Sequence, residues 1–470
     1  MTGWLWQWVQ LARFDQSRAA LLLGLALMAA LLVRRVACSP VREIHRRGTL
    51  IARRRSRFWP RLRTASVIHG RLGLAGVPIM AADELKHFKV IGTTGTGKST
   101  AIRELLTLAL RRGDRAVISD PDGGYAQRFA KRYRGDVILN PFEPDSVRWD
   151  PYGEIDRPYD VEQLASALVA SSGDAAAQEW RGYARTFVGA VLHRSHANGQ
   201  RDPAALWRLM AVADSDELRA LVAGTPAQPF LEPDNARMFA SIRSVAVSAM
   251  AALQYVQAQR ATSFSVRPWI SAGHGVLFIP YRAGQIAALR SIIAAWVRLA
   301  IVEAMNRPEE CDQRLWFVVD ELDALGAIDG LKDALARLRK FGGRCILGFQ
   351  SVAQVSSTYG HGDAQTIIEN CSNTVILRCS GSEQGGTSQF ASRLIGEREV
   401  IRRQRSRGRD RDGLFPSQGT RRSTQVSEQQ VIESAVLPSE LEQLPDLRGY
   451  MKTASERAWV RIRLRLPADG

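Results

Sequence analysis

The sequence has few cysteines and one long hydrophobic run. Its 470 residues include five cysteines, an odd number, and no two of them form a Cys-x-x-Cys pair. This pattern argues against a disulfide framework or a zinc ribbon, and it suits a reducing compartment. The 45% share of hydrophobic residues is that of a globular rather than a disordered protein. A chain of this length predicts two or three domains.

Acidic residues are scarce relative to basic ones. The chain has 47 Asp and Glu against 64 Lys and Arg, which gives a formal net charge of +17. Two segments hold the excess: residues 34–63 contain eleven arginines and one glutamate, and residues 402–422 contain eight arginines and two aspartates. The rest of the chain is nearly neutral. The basic charge therefore serves two local contacts and does not coat the whole surface.

The hydrophobic run, AALLLGLALMAALLV at residues 19–33, predicts a transmembrane helix over 19–35. A helix of this length spans roughly 22 Å against a bilayer core of about 30 Å, and flanking arginines can close the gap by snorkelling. The tryptophans of residues 1–18 suit an interfacial segment. The arginines of 34–63 predict that the following chain lies in the cytoplasm. These arginines are expected to face anionic lipid, because they lie next to the membrane segment. A cleaved signal peptide is the alternative, but VRRVACSP offers no suitable cleavage site.

The stretch GTTGTGKST matches the phosphate-binding loop Gly-x4-Gly-Lys-Ser. It follows an apolar segment, HFKVI, and precedes a helical pattern, as this motif requires. Glycines let the backbone curl and direct its N–H groups at phosphate oxygens, while Lys98 adds charge and Ser99 offers a hydroxyl to Mg²⁺. We predict that the nucleotide, ATP, is bound by Gly92, Thr93, Thr94, Gly95, Thr96, Gly97, Lys98, Ser99 and Thr100.

A second motif supplies the acidic groups that such a loop requires. In LWFVVDEL, residues 315–322, five apolar residues precede Asp320 and Glu321. A buried parallel strand whose carboxyl end faces a ligand has this pattern. Asp320 is predicted to share the Mg²⁺ site with Ser99, and Glu321 to orient or deprotonate the attacking water. An Asp-Glu pair after an apolar run is by itself a weak signal of a nucleotide site. Together with the phosphate-binding loop it becomes a strong one.

Two further residues complete the predicted catalytic set of Lys98, Asp320, Glu321, Arg339 and Gln350. Gln350 ends the apolar segment RCILGFQ, where it is either a sensor of the γ-phosphate or of bound DNA, or an ordinary strand-end hydrogen-bonding group. Arg339 ends a helical pattern, where it is either a solvated residue favoured by the helix dipole or an arginine finger directed at a neighbouring subunit's nucleotide. The apolar positions of that helix are Ile328, Leu331, Leu335 and Leu338.

The middle of the chain predicts a separate helical region. Apolar residues recur there at helical spacing, and prolines and glycines separate the segments. We predict an all-α domain over 151–268, inserted into an α/β nucleotide-binding domain built from 36–150 and 269–470. Residues 400–425 are polar, rich in arginine and without periodicity, which predicts an exposed loop. Its arginines either neutralise phosphates or are simply solvated.

The chain resembles the type IV coupling proteins, the TraD/TrwB family of conjugation ATPases, over roughly residues 60–465. GTTGTGKST, WFVVDELDALGAIDGL, LRKFGGRCILGFQSVAQVSSTYG and VLPSELEQLPDLRGYMK carry the resemblance. It implies a RecA-like P-loop domain with an inserted all-α domain, ATP and Mg²⁺ as cofactors, an anchor in the bacterial inner membrane and a homo-hexameric ring. It also matches Arg339 to the family's arginine finger and Gln350 to its sensing glutamine.

The function that the resemblance implies is recruitment of relaxase-bound DNA and its ATP-driven transfer into a type IV secretion channel. The implied partners are single-stranded or double-stranded DNA, relaxosome proteins, channel proteins and the membrane. Relatives usually have two membrane spans, whereas GWLWQWVQLA is too short, so we expect a single span here. Two alternatives remain. One is a receptor that recruits protein effectors, with hydrolysis only as a switch. The other is an FtsK-type chromosome translocase. Such proteins usually have several membrane spans and a terminal winged helix that reads DNA, whereas WVRIRLRLP is typical of a closing strand.

Overall fold

The computed structural model describes residues 44–52, 71–171, 174–309, 313–383, 385–410 and 421–466. The chain divides into two compact units: the smaller takes in residues 44–49 and Gly396–Ala435, and the larger takes in Leu50–Ile395 and residues 436–466. The predicted segments 1–18 and 19–35 lie outside the described residues. Within the described part of the chain, none of the helices combines the length and the apolar character that a membrane crossing requires.

A ten-stranded sheet forms the centre of the larger unit. Seven neighbouring strands, the last seven in the order that follows, are parallel, and most of their residues are apolar and buried, as expected when helices cover both faces. In spatial order the strands are β2 (Leu50–Ala52), β17 (Ala458–Arg463), β16 (Arg448–Lys452), β13 (Asn373–Ile376), β5 (Phe88–Ile91), β12 (Gly343–Phe349), β11 (Leu315–Val319), β6 (Arg115–Pro121), β10 (Val276–Tyr281) and β7 (Val137–Ile138).

Helices pack around this sheet. The helix after β5 buries its apolar side, which recurs every three to four residues as in any amphipathic helix. The helices of this part are α1 (Ala81–Glu84), α2 (Lys98–Arg111), α3 (Gly124–Phe129), α10 (Val266–Ala272), α11 (Ile286–Ala304), α12 (Leu331–Arg337), α13 (Val352–Tyr359), α14 (His361–Asn370), α15 (Gly386–Ile395) and α16 (Pro438–Glu442). A small antiparallel pair, β3 (Gly73–Leu74) and β4 (Val77–Pro78), precedes them.

Helices fill most of the predicted insert. They are α4 (Asp160–Leu168), α5 (Ala175–Ala197), α6 (Pro203–Ala211), α7 (Ser215–Val222), α8 (Ala236–Ala249) and α9 (Leu253–Gln257). Asp174, Asp202 and Asp214 begin three of them, and each carboxylate accepts a hydrogen bond from an N–H of the first turn. The range 151–268 is not wholly helical, because β9 (Ser263–Phe264) lies inside it and pairs with β8 (Arg148–Trp149).

The expectation of a loop over 400–425 is wrong for the part of it that the structure describes. In the smaller unit, β14 (Glu397–Asp410) pairs antiparallel with β15 (Arg421–Ser434), and β1 (Ile44–Gly48) pairs with the other edge of β14. Residues 411–420 lie outside the described residues. β14 and β15 are neighbours in sequence, but both are mostly polar and lack the apolar alternation that predicts a strand, and β1 comes from a distant part of the chain.

Ion pairs compensate part of the arginine charge at the base of this three-stranded sheet. Arg398 and Arg402 approach Glu433 at 2.8 Å and 2.6 Å, and Arg46 approaches Glu399 at 2.9 Å. Arg47 also pairs with Glu399. The positive charge that the sequence places in this unit is therefore partly neutralised within it.

Candidate functional site

The phosphate-binding loop connects β5 to α2, and its backbone is tightly curled. Oγ1 of Thr96 donates a hydrogen bond to the carbonyl of Thr93 at 2.7 Å, and φ is +75° at Gly95 and +110° at Gly97. The φ at Gly97 lies in the region that glycine adopts without strain, and a Cβ atom there would lie 2.8 Å from Cδ2 of Leu447. At Gly95 a Cβ atom would meet no atom within 4 Å. The loop is therefore packed against the protein at Gly97 and open at Gly95.

Lys98 holds its charge inside this curl. The residue is 7% exposed, and Nζ donates hydrogen bonds to the carbonyls of Gly92 at 2.8 Å and Thr93 at 3.1 Å. Burial lowers the pKa of Lys98, and the nearby carboxylates of Asp320 and Glu321 oppose that shift. In phosphate-binding loops the lysine takes this position toward the β- and γ-phosphates.

Asp320, directly after β11, joins the second motif to the loop. It is 2% exposed, and its Oδ2 accepts hydrogen bonds from Oγ of Ser99 at 2.6 Å and from the hydroxyl of Tyr125 at 2.9 Å. Its Oδ1 is buried and has no hydrogen-bond partner in the part of the chain that the structure describes. Hard cations such as Mg²⁺ take oxygen ligands, either directly or through water. Ser99 and Asp320 therefore fit the predicted Mg²⁺ site.

A chain of hydrogen bonds joins Glu321 to the loop through Gln350. Gln350 Nε2 donates to Oε1 of Glu321 at 2.9 Å, and Gln350 Oε1 accepts from Oγ1 of Thr94 at 2.8 Å. Burial raises the pKa of Glu321, and the hydrogen bond from Gln350 opposes that rise. A carboxylate with a raised pKa is a better proton acceptor near neutral pH. The position and the raised pKa of Glu321 are those that its predicted role as a base requires.

Arg339 stands apart from the other four predicted catalytic residues. It lies in a 3₁₀ turn, Leu338–Phe341, that follows α12, and its side chain is exposed. Among the described residues, no hydrogen bond or ion pair joins it to Lys98, Asp320, Glu321 or Gln350. The helix that the sequence predicts from Ile328 begins only at Leu331, because Gly330 precedes it with φ at +79°.

The contact between Tyr125 and Asp320 was not predicted from the sequence. The carboxylate of Asp120, at the end of β6, accepts hydrogen bonds from the backbone N–H groups of Tyr125 at 2.9 Å and Ala126 at 2.7 Å, which fixes the first turn of α3. Burial raises the pKa of Asp120 to about 6. The sequence signal for this arrangement is the pair Gly123 and Gly124 before a short helix, and such pairs occur in many turns.

Comparison with known proteins decides the family. The model of the type IV secretion-system coupling protein DNA-binding domain matches residues 71–465. The chain belongs to this coupling protein family. Its fold agrees: it superposes on the plasmid coupling protein TrwB in complex with ADP and Mg²⁺ with a TM-score of 0.78, at 30% identity, covering 92% of this chain and 96% of that one. The TrwB complex with the non-hydrolysable ATP analogue ADPNP gives a TM-score of 0.76 at the same identity and coverage.

Coupling proteins from conjugative systems are also similar in sequence. The coupling protein TraD of Escherichia coli K12 is 29% identical over 406 residues, which cover 83% of this chain and 54% of TraD. A conjugal transfer protein TraG of Escherichia coli is 25% identical over 370 residues, which cover 68% of this chain and 56% of TraG. The chain thus spans about half the length of the curated relatives it matches. The RecA-like α/β fold with a helical domain is confirmed by the TrwB structures.

Proposed function

We propose that this coupling protein is an ATPase that recruits relaxase-bound DNA and uses ATP hydrolysis to move it into a type IV secretion channel. The observation that carries the proposal is the 2.6 Å hydrogen bond between Ser99 and Asp320. It joins the phosphate-binding loop to the acidic strand end, which is the arrangement that P-loop ATPases use to hold Mg²⁺ beside the phosphates. The complexes of TrwB with ADP and Mg²⁺ support the same assignment.

The described residues divide the work of hydrolysis among them. The N–H groups of residues 92–100 and the ammonium of Lys98 bind the phosphates. Ser99 and Asp320 would hold Mg²⁺, which when bound neutralises phosphate charge. Glu321 orients the attacking water and accepts its proton. Gln350 couples the phosphate-binding loop to Glu321, because it forms hydrogen bonds with both Thr94 and Glu321.

Arg339 acts in this proposal across a subunit boundary. Its exposure and its separation from the other catalytic residues suit a side chain that completes the site of a neighbouring copy in a homo-hexameric ring. The proposal also includes the features that the sequence alone supports: a single inner-membrane span at 19–35, a cytoplasmic bulk, and partners among relaxosome and secretion channel proteins. DNA as the moved substrate is supported by the family's description as a DNA-binding domain.

The test is ATP hydrolysis by the full-length chain, titrated with single-stranded and double-stranded DNA at several salt concentrations. We expect hydrolysis that DNA stimulates, with a stimulation that fades as salt rises, because phosphate contacts release counterions. Lys98→Ala should abolish hydrolysis. Hydrolysis that depends on Lys98 but is indifferent to DNA would favour the alternative of a receptor for protein effectors. Absence of hydrolysis in the unmodified chain under all these conditions would overturn the proposal.

A further inference from the structure

Two described side chains donate hydrogen bonds to the carboxylate of Asp320, and one of them, Tyr125, belongs to no sequence motif. Oδ2 accepts from Ser99 and from the hydroxyl of Tyr125, at 2.6 Å and 2.9 Å. Oδ1 is buried without a partner among the described residues. Since a carboxylate can rotate about its own axis, two donors on the same oxygen fix which oxygen stays available.

The hydroxyl of Tyr125 can only act as the donor in this contact, because an ionised carboxylate accepts hydrogen bonds and does not donate them. Tyr125 is 1% exposed, so its hydroxyl donates to Oδ2 of Asp320 from inside the protein.

The position of Tyr125 is fixed from two sides. Its backbone N–H donates to Asp120 at 2.9 Å, and the guanidinium of Arg103 lies over its ring at 5.3 Å. Arg103 belongs to α2, the helix that begins at Lys98, while Asp120 is the last residue but one of β6. The phenol is thus held between α2, which follows the phosphate-binding loop, and β6, which pairs with β11. A side chain held in this way can orient its partner.

We propose that Tyr125 is a positioning residue for the Mg²⁺ site: its hydroxyl holds Oδ2 of Asp320 and leaves Oδ1 as the oxygen that serves the metal or its water. This inference rests on the proposed function, because it takes Mg²⁺ and a nucleotide as the ligands of the site. Residues that orient a metal ligand through hydrogen bonds typically contribute about 10- to 100-fold to metal affinity or activity.

The test is the substitution Tyr125→Phe in the full-length chain, which removes the hydroxyl and keeps the ring. Binding of a fluorescent ADP analogue is measured as a function of free Mg²⁺ and, separately, in EDTA. We expect the Mg²⁺ concentration at half-maximal effect to rise about 10-fold or more, with binding in EDTA unchanged. Tyr125→Met, which also lacks the hydroxyl but keeps an apolar side chain, is the second variant if the first does not fold.

Tyr152→Phe is the matched control, because Tyr152 is also 1% exposed but lies in the helical region and not at Asp320. Its Mg²⁺ dependence should equal that of the unmodified chain. The inference is overturned if Tyr125→Phe leaves the Mg²⁺ dependence unchanged, or if it weakens binding equally with and without metal, as a purely structural role would. Failure of the unmodified chain to bind the ADP analogue would instead refute the proposed function, so the two failures are distinguishable.

Discussion

The side-chain amide of Gln350 donates a hydrogen bond of 2.9 Å to the carboxylate of Glu321. The two residues follow β12 and β11, which are adjacent parallel strands, so the backbone itself holds them side by side. Glu321 is partly buried, and its hydrogen bond to Gln350 opposes the rise in pKa that burial causes. The hydrogen bond from Gln350 therefore orients the carboxylate of the predicted base and limits the rise in its pKa.

Substitution Gln350→Ala is expected to lower kcat for ATP hydrolysis by about 100-fold, the loss that a small misplacement of a reacting group produces. Without the amide the pKa of Glu321 should rise further, so the acidic limb of the pH–rate profile should shift to higher pH. Gln365→Ala is the control, since Gln365 is exposed on α14 and bonds to Glu369 in the next turn. An unchanged kcat and an unchanged pH profile in Gln350→Ala would contradict the assigned role.

Substitution Arg339→Ala is expected to reduce kcat by about 1,000-fold or more, the range that arginine fingers contribute. Arg337→Ala, at a neighbouring exposed position, should leave kcat nearly unchanged. Mixtures of Lys98→Ala and Arg339→Ala chains should recover part of the hydrolysis, because some interfaces then combine an intact Lys98 with an intact Arg339. A mixture as inactive as either parent would show that Arg339 does not act across a subunit boundary.

Because His87 is buried, we expect the folded protein to lose stability in mild acid. The residue is 1% exposed; its Nδ1 accepts a hydrogen bond from the N–H of Cys345 at 3.0 Å, which leaves Nε2 to donate to the carbonyl of Leu335 at 2.8 Å. The bond from Cys345 requires an unprotonated Nδ1, and burial lowers the pKa of His87 to about 4 from its ordinary 6.5. The unfolded chain therefore binds the proton first as pH falls, so stability is full above pH 6.5 and is lost between 6.5 and 4.

We expect this residue alone to lower the free energy of unfolding by about 2 kcal/mol between pH 7.5 and pH 5, as measured by urea unfolding. His87→Asn is the comparison variant. Asparagine tolerates the φ of +52° at this position and has no charge to gain. The variant should be less stable at pH 7.5 but should lack this part of the pH dependence. An equal pH dependence in both chains would exclude His87 as its source.

The sequence predicted which motif residues lie together better than it predicted their surroundings. Lys98, Ser99 and Asp320 were predictable because each belongs to a motif whose spacing is set by the strand or helix that carries it. Gln350 was predicted with two readings, and the structure gives it contacts to both the loop and Glu321. The pairing of β14 with β15 was not predicted because both strands are mostly polar and lack apolar alternation. The contact of Tyr125 with Asp320 was not predictable because their proximity depends on the tertiary fold.

Lys98 has lost most of its water before any phosphate arrives, because its ammonium is buried against two backbone carbonyls. The cost of dehydrating that charge is therefore met when the chain folds and not when a nucleotide binds. Phosphate oxygens have only to displace the carbonyls of Gly92 and Thr93 as acceptors. The folded protein is thus less stable than it could be, because it keeps the Lys98 ammonium in position for a phosphate. Selection for stability alone would therefore act against this lysine in a chain that did not need to hydrolyse a nucleotide.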